Sequence, residues 1–438
     1  MKLKISRILH AGYIFQSEKT KIAFDPIFEN PFSKNCYAYP EVQFDLAQIT
    51  QLKLDAVFIS HYHDDHCSLE SLIHLDLATP IYMYCLFDEM FDLIKKLGFV
   101  NVQTLLLNHP IQIGDIKVTP RRALDHDVDC LFQIQSAGLN ILNVVDSWID
   151  DDTFEELMAE APWDMVLWPF QTLQEIEVIA PFKVSEPHEG LPHEWITQLK
   201  KLNPRYVVPS SCQFKFESWS WYNQVYFPIS YRKFKQEIES VLPQGQVIRL
   251  NPSVSIELDT TSLMASAPLD WVKPSGDQDV DYEFHPDRKI PSTSDIAQKF
   301  PALNSAQNQI ILDYCVSGLL DRFKSLDPPQ DDFFHHDWNW KLIIFDHAGK
   351  WQNFYYSLNG NTIELLNNEP AKISWATEVP LFKFYAGLIE GESLTSMYVR
   401  IETQLEADIM EDPLIRCLFN GNFAGYQKAQ LNKIKSVR

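Results

Sequence analysis

Paired cysteines and long apolar runs are both missing from this chain of 438 residues. The seven cysteines are scattered with no C-x-x-C pair, which argues against a disulfide framework or a zinc ribbon and favours reduced thiols in a cytoplasmic protein. No run of about eighteen apolar residues occurs, so no transmembrane segment is expected. Polar residues interrupt the basic N-terminus and no A-x-A cleavage site follows, so no signal peptide is expected.

Positive charge is also scarce. The chain has 37 lysines and arginines against 59 aspartates and glutamates, for a formal net charge of -22. Nucleic acid and anionic membranes would repel such a protein at long range, so neither is expected as a partner. An anionic substrate would need metal ions to supply local positive charge. The expected partner is a small-molecule or lipid-like substrate, and homo-oligomerisation is left open.

The length and composition predict two folded domains. A chain of this length exceeds one ordinary hydrophobic core, and the 45% hydrophobic content supports folding throughout. Alternating strands and helices favour an α/β domain over residues 1–259. Residues 260–305 are rich in proline, serine and aspartate, as in a linker. Residues 306–438 follow an α+β order that includes an Asn359-Gly360 hairpin signal.

The strongest motif is H-x-H-x-D-H, which follows the apolar run of residues 56–60. Alternate side chains of an extended segment share a face, so His61 and His63 can reach one metal ion. Asp65 and His66 follow at the turn and can reach a second ion. Imidazole and carboxylate are ligands for first-row divalent metals. The alternative interpretation is a polar surface loop that happens to contain three histidines.

Two further residues follow predicted strands in the same half of the chain. His126 lies between Asp125 and Asp127, and Asp146 ends the apolar run of residues 141–145. Alone, His126 would be a loop histidine and Asp146 a helix N-cap. Together they can supply a third imidazole for the first ion and a carboxylate that bridges both ions.

These residues resemble the ordered signature of the metallo-β-lactamase superfamily of αββα hydrolases, over roughly residues 1–259. Asp25 closes an early strand ahead of the motif, as in that family. The phrases Leu9-His10-Ala11-Gly12 and Phe24-Asp25-Pro26 look closest to the branch with L-ascorbate-6-phosphate lactonase and N-acyl-phosphatidylethanolamine phospholipase D. The resemblance implies an αββα sandwich, an Asp25 that orients ligands and a His10 that approaches the metals.

One family feature is absent. A final histidine is expected after the strand-like residues 206–209, but Ser211 and Cys212 stand there. Cys212 is either an extra ligand or a buried, inert thiol. His188 and His193 could substitute, although their spacing does not form H-E-x-x-H. Single-metal occupancy is therefore a serious variant.

The missing histidine also gives a likeness to the metallo-β-lactamase-like part of CMP-N-acetylneuraminate hydroxylase. Those proteins carry a Rieske centre, which needs paired Cys-x-His and Cys-x-x-His ligands, and this chain has no C-x-H.

The C-terminal domain resembles sterol-carrier-type domains, with a dimerisation or lid role as the alternative. An aromatic segment at residues 218–231 either packs in the core or walls a substrate pocket. The pair His335-His336 is expected in a solvated loop.

The sequence therefore predicts a metal-dependent hydrolase. Zinc is the first expectation among one or two divalent ions, with manganese or iron as alternatives. A metal-activated hydroxide would attack an ester, lactone, amide or phosphodiester. Asp65 and His10 are the candidate catalytic residues. The competing hypothesis is a non-catalytic or oxygenase-related metal-binding module whose C-terminal domain binds a ligand or partner. The candidate metal ligands are His61, His63, Asp65, His66, His126 and Asp146.

Overall fold

The protein is described here from a computed structural model, which describes residues 2–183, 190–421 and 424–437. The strands in chain order are β1 (Leu3–Arg7), β2 (Tyr13–Gln16), β3 (Lys21–Phe24), β4 (Tyr37–Ala38), β5 (Val42–Phe44), β6 (Ala56–Ile59), β7 (Ile81–Met83), β8 (Val102–Thr104), β9 (Ile111–Ile113), β10 (Ile116–Arg122), β11 (Cys130–Ser136), β12 (Leu139–Asn143), β13 (Met165–Pro169), β14 (Tyr206–Ser210), β15 (Phe214–Lys215), β16 (Gln246–Val247), β17 (Ser255–Leu258), β18 (Leu263–Ser266), β19 (Val272–Pro274), β20 (Trp338–Phe345), β21 (Trp351–Asn359), β22 (Thr362–Leu366), β23 (Trp375–Pro380) and β24 (Arg400–Thr403).

The α-helices in chain order are α1 (Leu46–Ile49), α2 (Leu69–Leu72), α3 (Asp88–Leu97), α4 (Asp151–Ala159), α5 (Glu175–Ile179), α6 (His193–Leu202), α7 (Tyr222–Val225), α8 (Tyr231–Val241), α9 (Thr293–Ala297), α10 (Ser305–Asp313), α11 (Leu319–Ser325), α12 (Leu381–Tyr385), α13 (Pro413–Phe419) and α14 (Gly425–Val437). Two π-helical segments, Tyr314–Gly318 and Ala386–Glu390, continue α10 and α12.

Two large sheets pack face to face in the first part of the chain. One has the strand order β18-β17-β1-β2-β3-β6-β7-β8 and the other β16-β14-β13-β12-β11-β10-β9. Side chains of both inner faces share one buried cluster, in which Phe24 lies 5.3 Å from Phe58 and 5.0 Å from Phe132 between ring centroids. Helices cover the outer faces, so the predicted αββα sandwich is confirmed.

Strand β6 shows how the sequence produces this layering. All four of its residues are buried, as expected for a strand covered on both faces. Phe58 packs between the two sheets, whereas Val57 and Ile59 belong to the outer cluster that contacts the helices. Because β6 pairs in parallel with β3 and β7, its C-terminal end opens at the same sheet edge as theirs.

The last part of the chain forms a separate five-stranded sheet of order β22-β21-β20-β23-β24. Strands β20 to β22 form an antiparallel meander, and β23 pairs in parallel with β20. The predicted Asn359-Gly360 turn joins β21 to β22, and Gly360 adopts a positive φ of 56° that this tight turn requires. Two helices, α13 and α14, follow the strand β24.

The region predicted as a linker, residues 260–305, is tied to both parts. Strand β18 pairs with β17 and β19 pairs with β5, so residues up to Pro274 extend the first part of the fold. Helix α9 packs on β23 of the C-terminal sheet. The domain limits at 259 and 306 therefore stay predictions. Among the described helices, none is long and apolar enough to cross a membrane.

Candidate metal centre

The H-x-H-x-D-H motif lies in the turn that leaves β6, at the edge where several strands end. Asp25 follows β3 and Asp146 lies three residues beyond the end of β12, so topology brings them to the motif. His10 lies in the turn between β1 and β2. Each residue is distant in sequence from the others, and the sandwich gathers them.

One cluster consists of four side chains whose nitrogen and carboxylate oxygen atoms lie within 4.8 Å of one another. His66 Nε2 lies 3.0 Å from Asp146 Oδ2 and 3.1 Å from His10 Nε2. His10 Nε2 lies 3.1 Å from Asp65 Oδ2. The members of the cluster are His10, Asp65, His66 and Asp146.

A second cluster shares Asp146 with the first. The ligand atoms of His61, Asp129 and Asp146 lie within the same 4.8 Å limit. His63 is adjacent, with its Nδ1 3.0 Å from His61 Nε2. The two clusters therefore lie side by side and share one carboxylate.

The structure does not bring His126 into either cluster, contrary to the sequence-based expectation of a third imidazole. Its side chain is 46% exposed, and its nearest charged partner is Asp127 at 3.8 Å. Residues 124–128 form a surface turn, which carries His126 away from the sheet edge. The chain returns at Asp129, directly before β11, and this carboxylate joins the cluster. Asp129 was missed because no spacing rule marks it.

Asp25 and Ser60 orient two of the histidines. The fully buried Asp25 carboxylate accepts hydrogen bonds from the Ser60 backbone N–H at 2.7 Å and from Ser60 Oγ at 2.8 Å. Asp25 Oδ2 also lies 3.1 Å from His66 Nδ1, and Ser60 Oγ lies 2.9 Å from His61 Nδ1. With both Nδ1 atoms engaged, Nε2 of each ring is directed to the centre. Asp25 therefore has the orienting position that the family resemblance implied.

His10 differs from the other ring members in its hydrogen bonding. The backbone N–H of Cys212 donates to His10 Nδ1 at 2.9 Å. An Nδ1 that accepts leaves the proton of the neutral ring on Nε2, which faces Asp65. The buried Arg7 guanidinium donates to the His10 carbonyl and, at 2.9 Å, to the Pro209 carbonyl, and so fixes both chain segments. In this geometry His10 is a proton donor.

Ser211 and Cys212 stand where a last histidine was expected, and His10, a member of the first cluster, lies against Cys212 instead. Both residues are buried, and burial together with the charges of Asp146 and Asp65 raises the pKa of the Cys212 thiol well above its usual value. Among the described residues, Cys212 belongs to neither cluster of ligand-type atoms. All seven cysteines are buried and unpaired.

The other histidines considered from the sequence lie elsewhere. His188 falls outside the described residues, and His193 is the exposed first residue of α6. His335 is exposed, and its Nε2 lies 2.9 Å from the Pro329 carbonyl, which agrees with a solvated loop. Most aromatic residues of the segment at residues 218–231 are buried in the core, and one of them, Tyr226, also lines a cavity at the centre.

Unusual backbone geometry concentrates around the centre. Val145, directly before Asp146, has a φ of 64°, which a β-branched residue rarely adopts. His10, Asp25 and Cys212 are also left-handed, at φ values of 50°, 39° and 49°. Strained residues of this kind persist where the surrounding structure holds them, often at functional sites.

The close packing of the backbone around Gly12 explains the glycine in the sequence His10-Ala11-Gly12, here called the HAG phrase. A Cβ atom at Gly12 would lie 2.8 Å from the Asp25 carbonyl oxygen and 2.9 Å from that of Leu9. Only glycine permits this approach of the β1–β2 turn to the end of β3. The motif thus holds His10 and Asp25 against each other.

The electrostatics of the centre are strongly coupled. Burial lowers the pKa of His61 well below its usual value, and the neighbouring His66 and His63 add to the effect. Burial also opposes charge on His66, but Asp146 and Asp65 outweigh it and hold the pKa of His66 well above its usual value. Burial and the charge of Asp146 raise the pKa of Asp129 to about 7. Such displaced pKa values are typical of functional sites.

The residues present fit divalent metal ions. Asp129 Oδ1 and Asp146 Oδ1 are buried and have no hydrogen-bond partner among the described residues. A buried carboxylate oxygen without a partner is costly, and a cation would remove that cost. The combination of imidazole nitrogen and carboxylate oxygen suits zinc, manganese and iron.

The clusters open into a cavity of about 460 Å³ between the sandwich and the C-terminal part of the chain. This volume lies in the range of small-molecule sites. Its histidine and carboxylate lining residues are His63, Asp64, Asp65, Asp146 and Glu175, and none of its described lining residues is lysine or arginine. The C-terminal part contributes the lining residues Gly391, Ser393, Leu394, Thr395, Met410, Phe419, Ala424, Gly425, Tyr426 and Gln427.

Comparison with known proteins agrees with the αββα sandwich of the first part of the chain. Residues 4–211 match the model of the beta-lactamase superfamily domain. This match and the αββα sandwich support the metallo-β-lactamase superfamily, and the protein has a metallo-β-lactamase-like α/β fold. No curated protein matches the chain.

Several solved structures are similar to part of the chain at low identity. Igni18, a metallo hydrolase from Ignicoccus hospitalis, is 18% identical with a TM-score of 0.42, covering 60% of this chain and 100% of its own. An isothiocyanate hydrolase from Delia radicum gut bacteria is 12% identical with a TM-score of 0.42, covering 61% and 100%. CmlA, a diiron beta-hydroxylase from Streptomyces venezuelae, is 16% identical with a TM-score of 0.40, covering 59% and 54%.

Proposed function

We propose that the protein is a metal-dependent hydrolase of small esters, lactones, amides or phosphodiesters. The observation that carries the proposal is the pair of histidine and carboxylate clusters that share Asp146 at the floor of a 460 Å³ cavity. A shared carboxylate and two adjacent ligand sets are the arrangement that a two-metal hydrolytic centre needs.

The ligand assignment follows the two clusters. At the second cluster, His61, His63 and Asp129 would hold the first ion. In the first cluster, Asp65 and His66 would hold the second ion, and Asp146 belongs to both clusters. Bound divalent ions would lower the pKa of a coordinated water and polarise the scissile centre. Asp25 and Ser60 keep His61 and His66 in the orientation that this binding requires.

His10 has the proton-transfer role in this proposal. Its Nε2 carries the proton, lies 3.1 Å from Asp65 Oδ2 and belongs to the first cluster. A proton held at this atom can pass to the leaving group as the scissile bond breaks. The Cys212 N–H holds the ring so that Nε2 keeps this direction.

The cavity limits the substrate. Because its described lining has no lysine or arginine, the metal ions would be the main local source of attraction for an anionic group. The HAG phrase, whose Gly12 and His10 contact the end of β3 and the centre, supports the lactonase and phospholipase D branch within the superfamily.

The test combines metal content with turnover. Protein purified without chelator is expected to contain one or two divalent ions per chain, and zinc, manganese and iron should each be quantified. Turnover of a panel of lactones, phosphodiesters and N-acyl lipids is then compared with His63→Ala, which removes an imidazole beside His61 Nε2. Wild-type protein without bound metal, or equal background rates for both proteins, would refute the hydrolase.

A second candidate is oxygenase-related iron chemistry or a non-catalytic metal module. The observation that favours it is the carboxylate-rich ligand set, since Asp129 stands where an imidazole was expected. Carboxylate and imidazole together suit iron as well as zinc. Iron as the ion retained at purification, with oxygen consumption and no hydrolysis, would favour the oxygenase. Retained metal with neither activity would favour the binding module.

A further inference from the structure

The last helix of the chain contacts the metal-binding turn directly. Helix α14 packs against α2 and α3, which follow the H-x-H-x-D-H motif in sequence. Two glutamines on this helix, Gln427 and Gln430, are 2% and 3% exposed and face the first part of the fold. Lys433 lies one turn further on and pairs with Glu70 at 2.7 Å.

Gln427 bonds to the two ends of the turn that carries the ligands. Its Nε2 donates to the Tyr62 carbonyl at 2.8 Å and to the Cys67 carbonyl at 2.9 Å. Tyr62 directly precedes His63, and Cys67 directly follows His66. One amide group therefore fixes the distance between the two carbonyls that flank residues 63–66, which include His63, Asp65 and His66.

The backbone hydrogen bonds inside the turn join other atoms than the two carbonyls that Gln427 binds. Inside it, the His66 and Cys67 backbone N–H groups donate to the His63 carbonyl at 3.1 and 2.9 Å. These bonds shape the turn but do not tie its two flanking carbonyls to each other. The side chain of Gln427 lines the cavity beside His63 and Asp65, so its removal would leave these carbonyls without their amide donor next to the centre.

We propose that Gln427 is a positioning residue that holds the metal-binding turn in its ligating geometry, so that C-terminal domain docking and metal binding are coupled. The proposal rests on the proposed metal centre. Because the coupling is reciprocal, docking of the C-terminal part strengthens metal binding by the same free energy by which bound metal stabilises the docked state. The C-terminal part then completes the centre from outside the sandwich.

Gln430 provides a matched control on the same helix face. Its Nε2 donates to Ser68 Oγ at 2.8 Å, and its Oε1 accepts from the Leu69 N–H at 2.7 Å. It is a buried glutamine of the same helix that bonds to the start of α2 and to no residue between His61 and His66. Equal losses of metal affinity at both positions would mean that only docking of the helix matters. A larger loss at Gln427 than at Gln430 would assign the effect to the metal-binding turn.

The experiment measures metal affinity in the full-length protein by chelator competition with zinc, alongside the thermal unfolding midpoint. Gln427→Met keeps the length of the side chain and removes its donor, and it is expected to weaken zinc binding about 10- to 100-fold, as loss of a ligand-orienting contact does. Gln430→Met should lower the unfolding midpoint of the zinc-free protein by a similar amount and leave zinc affinity near that of the wild type.

Gln427→Glu is the second variant and covers a failure of the methionine variant to fold. The added negative charge would favour cation binding by Coulomb attraction, while the carboxylate cannot donate to the two carbonyls. Weaker zinc binding in Gln427→Glu would therefore support positioning against the electrostatic trend. Wild-type affinity in either Gln427 variant, or equal loss in Gln430→Met, would overturn the proposal. Wild-type protein that binds no zinc, manganese or iron would refute the metal centre itself.

Discussion

The backbone N–H of Cys212 donates a hydrogen bond to Nδ1 of His10 at 2.9 Å, and this bond fixes which ring nitrogen carries the proton. Nδ1 is the acceptor, so the proton of the neutral ring is on Nε2, which faces Asp65 and His66. The ligand-type atom of His10 lies within 4.8 Å of those of three other side chains. The Cys212 N–H on the opposite side of the ring nevertheless makes His10 a proton donor and not a metal ligand.

Replacement of His10 should separate proton transfer from metal binding. In His10→Asn the amide oxygen can still accept from the Cys212 N–H, but the Nε2 proton is lost. We expect unchanged metal content and a kcat lowered about 100- to 10,000-fold, the usual contribution of a general acid. Metal analysis and steady-state kinetics on the same preparation test this. Loss of one metal ion per chain would instead identify His10 as a ligand.

Asp25→Asn should weaken metal binding although Asp25 is not in either cluster. The substitution keeps the volume but removes the charge and one acceptor, so His66 Nδ1 and both donors of Ser60 no longer share a carboxylate. We expect metal affinity to fall about 10- to 100-fold, measured by chelator competition. Asp76→Asn, which breaks only an exposed pair with Lys53, is the control and should leave affinity unchanged.

Stability should fall steeply at alkaline pH because of the buried tyrosines around the loop at residues 218–231. Burial raises the pKa of Tyr222, Tyr226, Tyr231 and Tyr282. A raised folded-state pKa gives stability that is fully present below the unfolded value of 10 and is lost as the pH rises through the folded value. Each such tyrosine contributes a slope of about 1.4 kcal/mol per pH unit above pH 10.

The measurement is the free energy of unfolding in urea at several pH values from about 7 to 11. Tyr222→Phe should reduce the slope above pH 10 by about one proton, or about 1.4 kcal/mol per pH unit. Below pH 9 the hydroxyl is protonated in both states, so the two slopes should agree there. An unchanged alkaline slope in the variant would contradict this account.

The layers of the fold were predictable because local patterns carried them. The apolar run before His61 reads as a buried strand, and Asn359-Gly360 reads as a hairpin turn. Strand β24 and the break between α13 and α14 were not predicted. Arg400–Thr403 has no distinctive alternation, and its strand form depends on pairing with β23.

The centre was predictable where ligands are close in sequence and unpredictable where only the fold joins them. His61, His63, Asp65 and His66 lie within six positions, and all reach the centre. Residues 124–129 contain four candidate ligands, one histidine and three aspartates, and their spacing cannot say which one the chain directs inward. Gln427 is 360 residues or more from the two carbonyls it binds and has no sequence signal at all.

The most direct test of the centre is therefore the comparison of Asp129→Ala with His126→Ala. Asp129 lies within 4.8 Å of His61 and Asp146, and its Oδ1 has no hydrogen-bond partner among the described residues, so its removal takes a ligand from the first ion. We expect Asp129→Ala to lose metal affinity by at least about 10-fold and to lose most turnover. The exposed His126 should tolerate alanine with metal content and kcat near those of the wild type.

The two substituted residues lie three positions apart in the same loop, so general damage to this loop would affect both variants. Asp129→Asn keeps the volume of the side chain and checks that the effect is one of charge and ligation. It should retain the wild-type unfolding midpoint in the metal-free protein while binding metal more weakly. The reverse pattern, with His126→Ala losing the metal and Asp129→Ala retaining it, would restore the imidazole expected from the sequence and would mean that residues 124–128 fold inward when metal is bound.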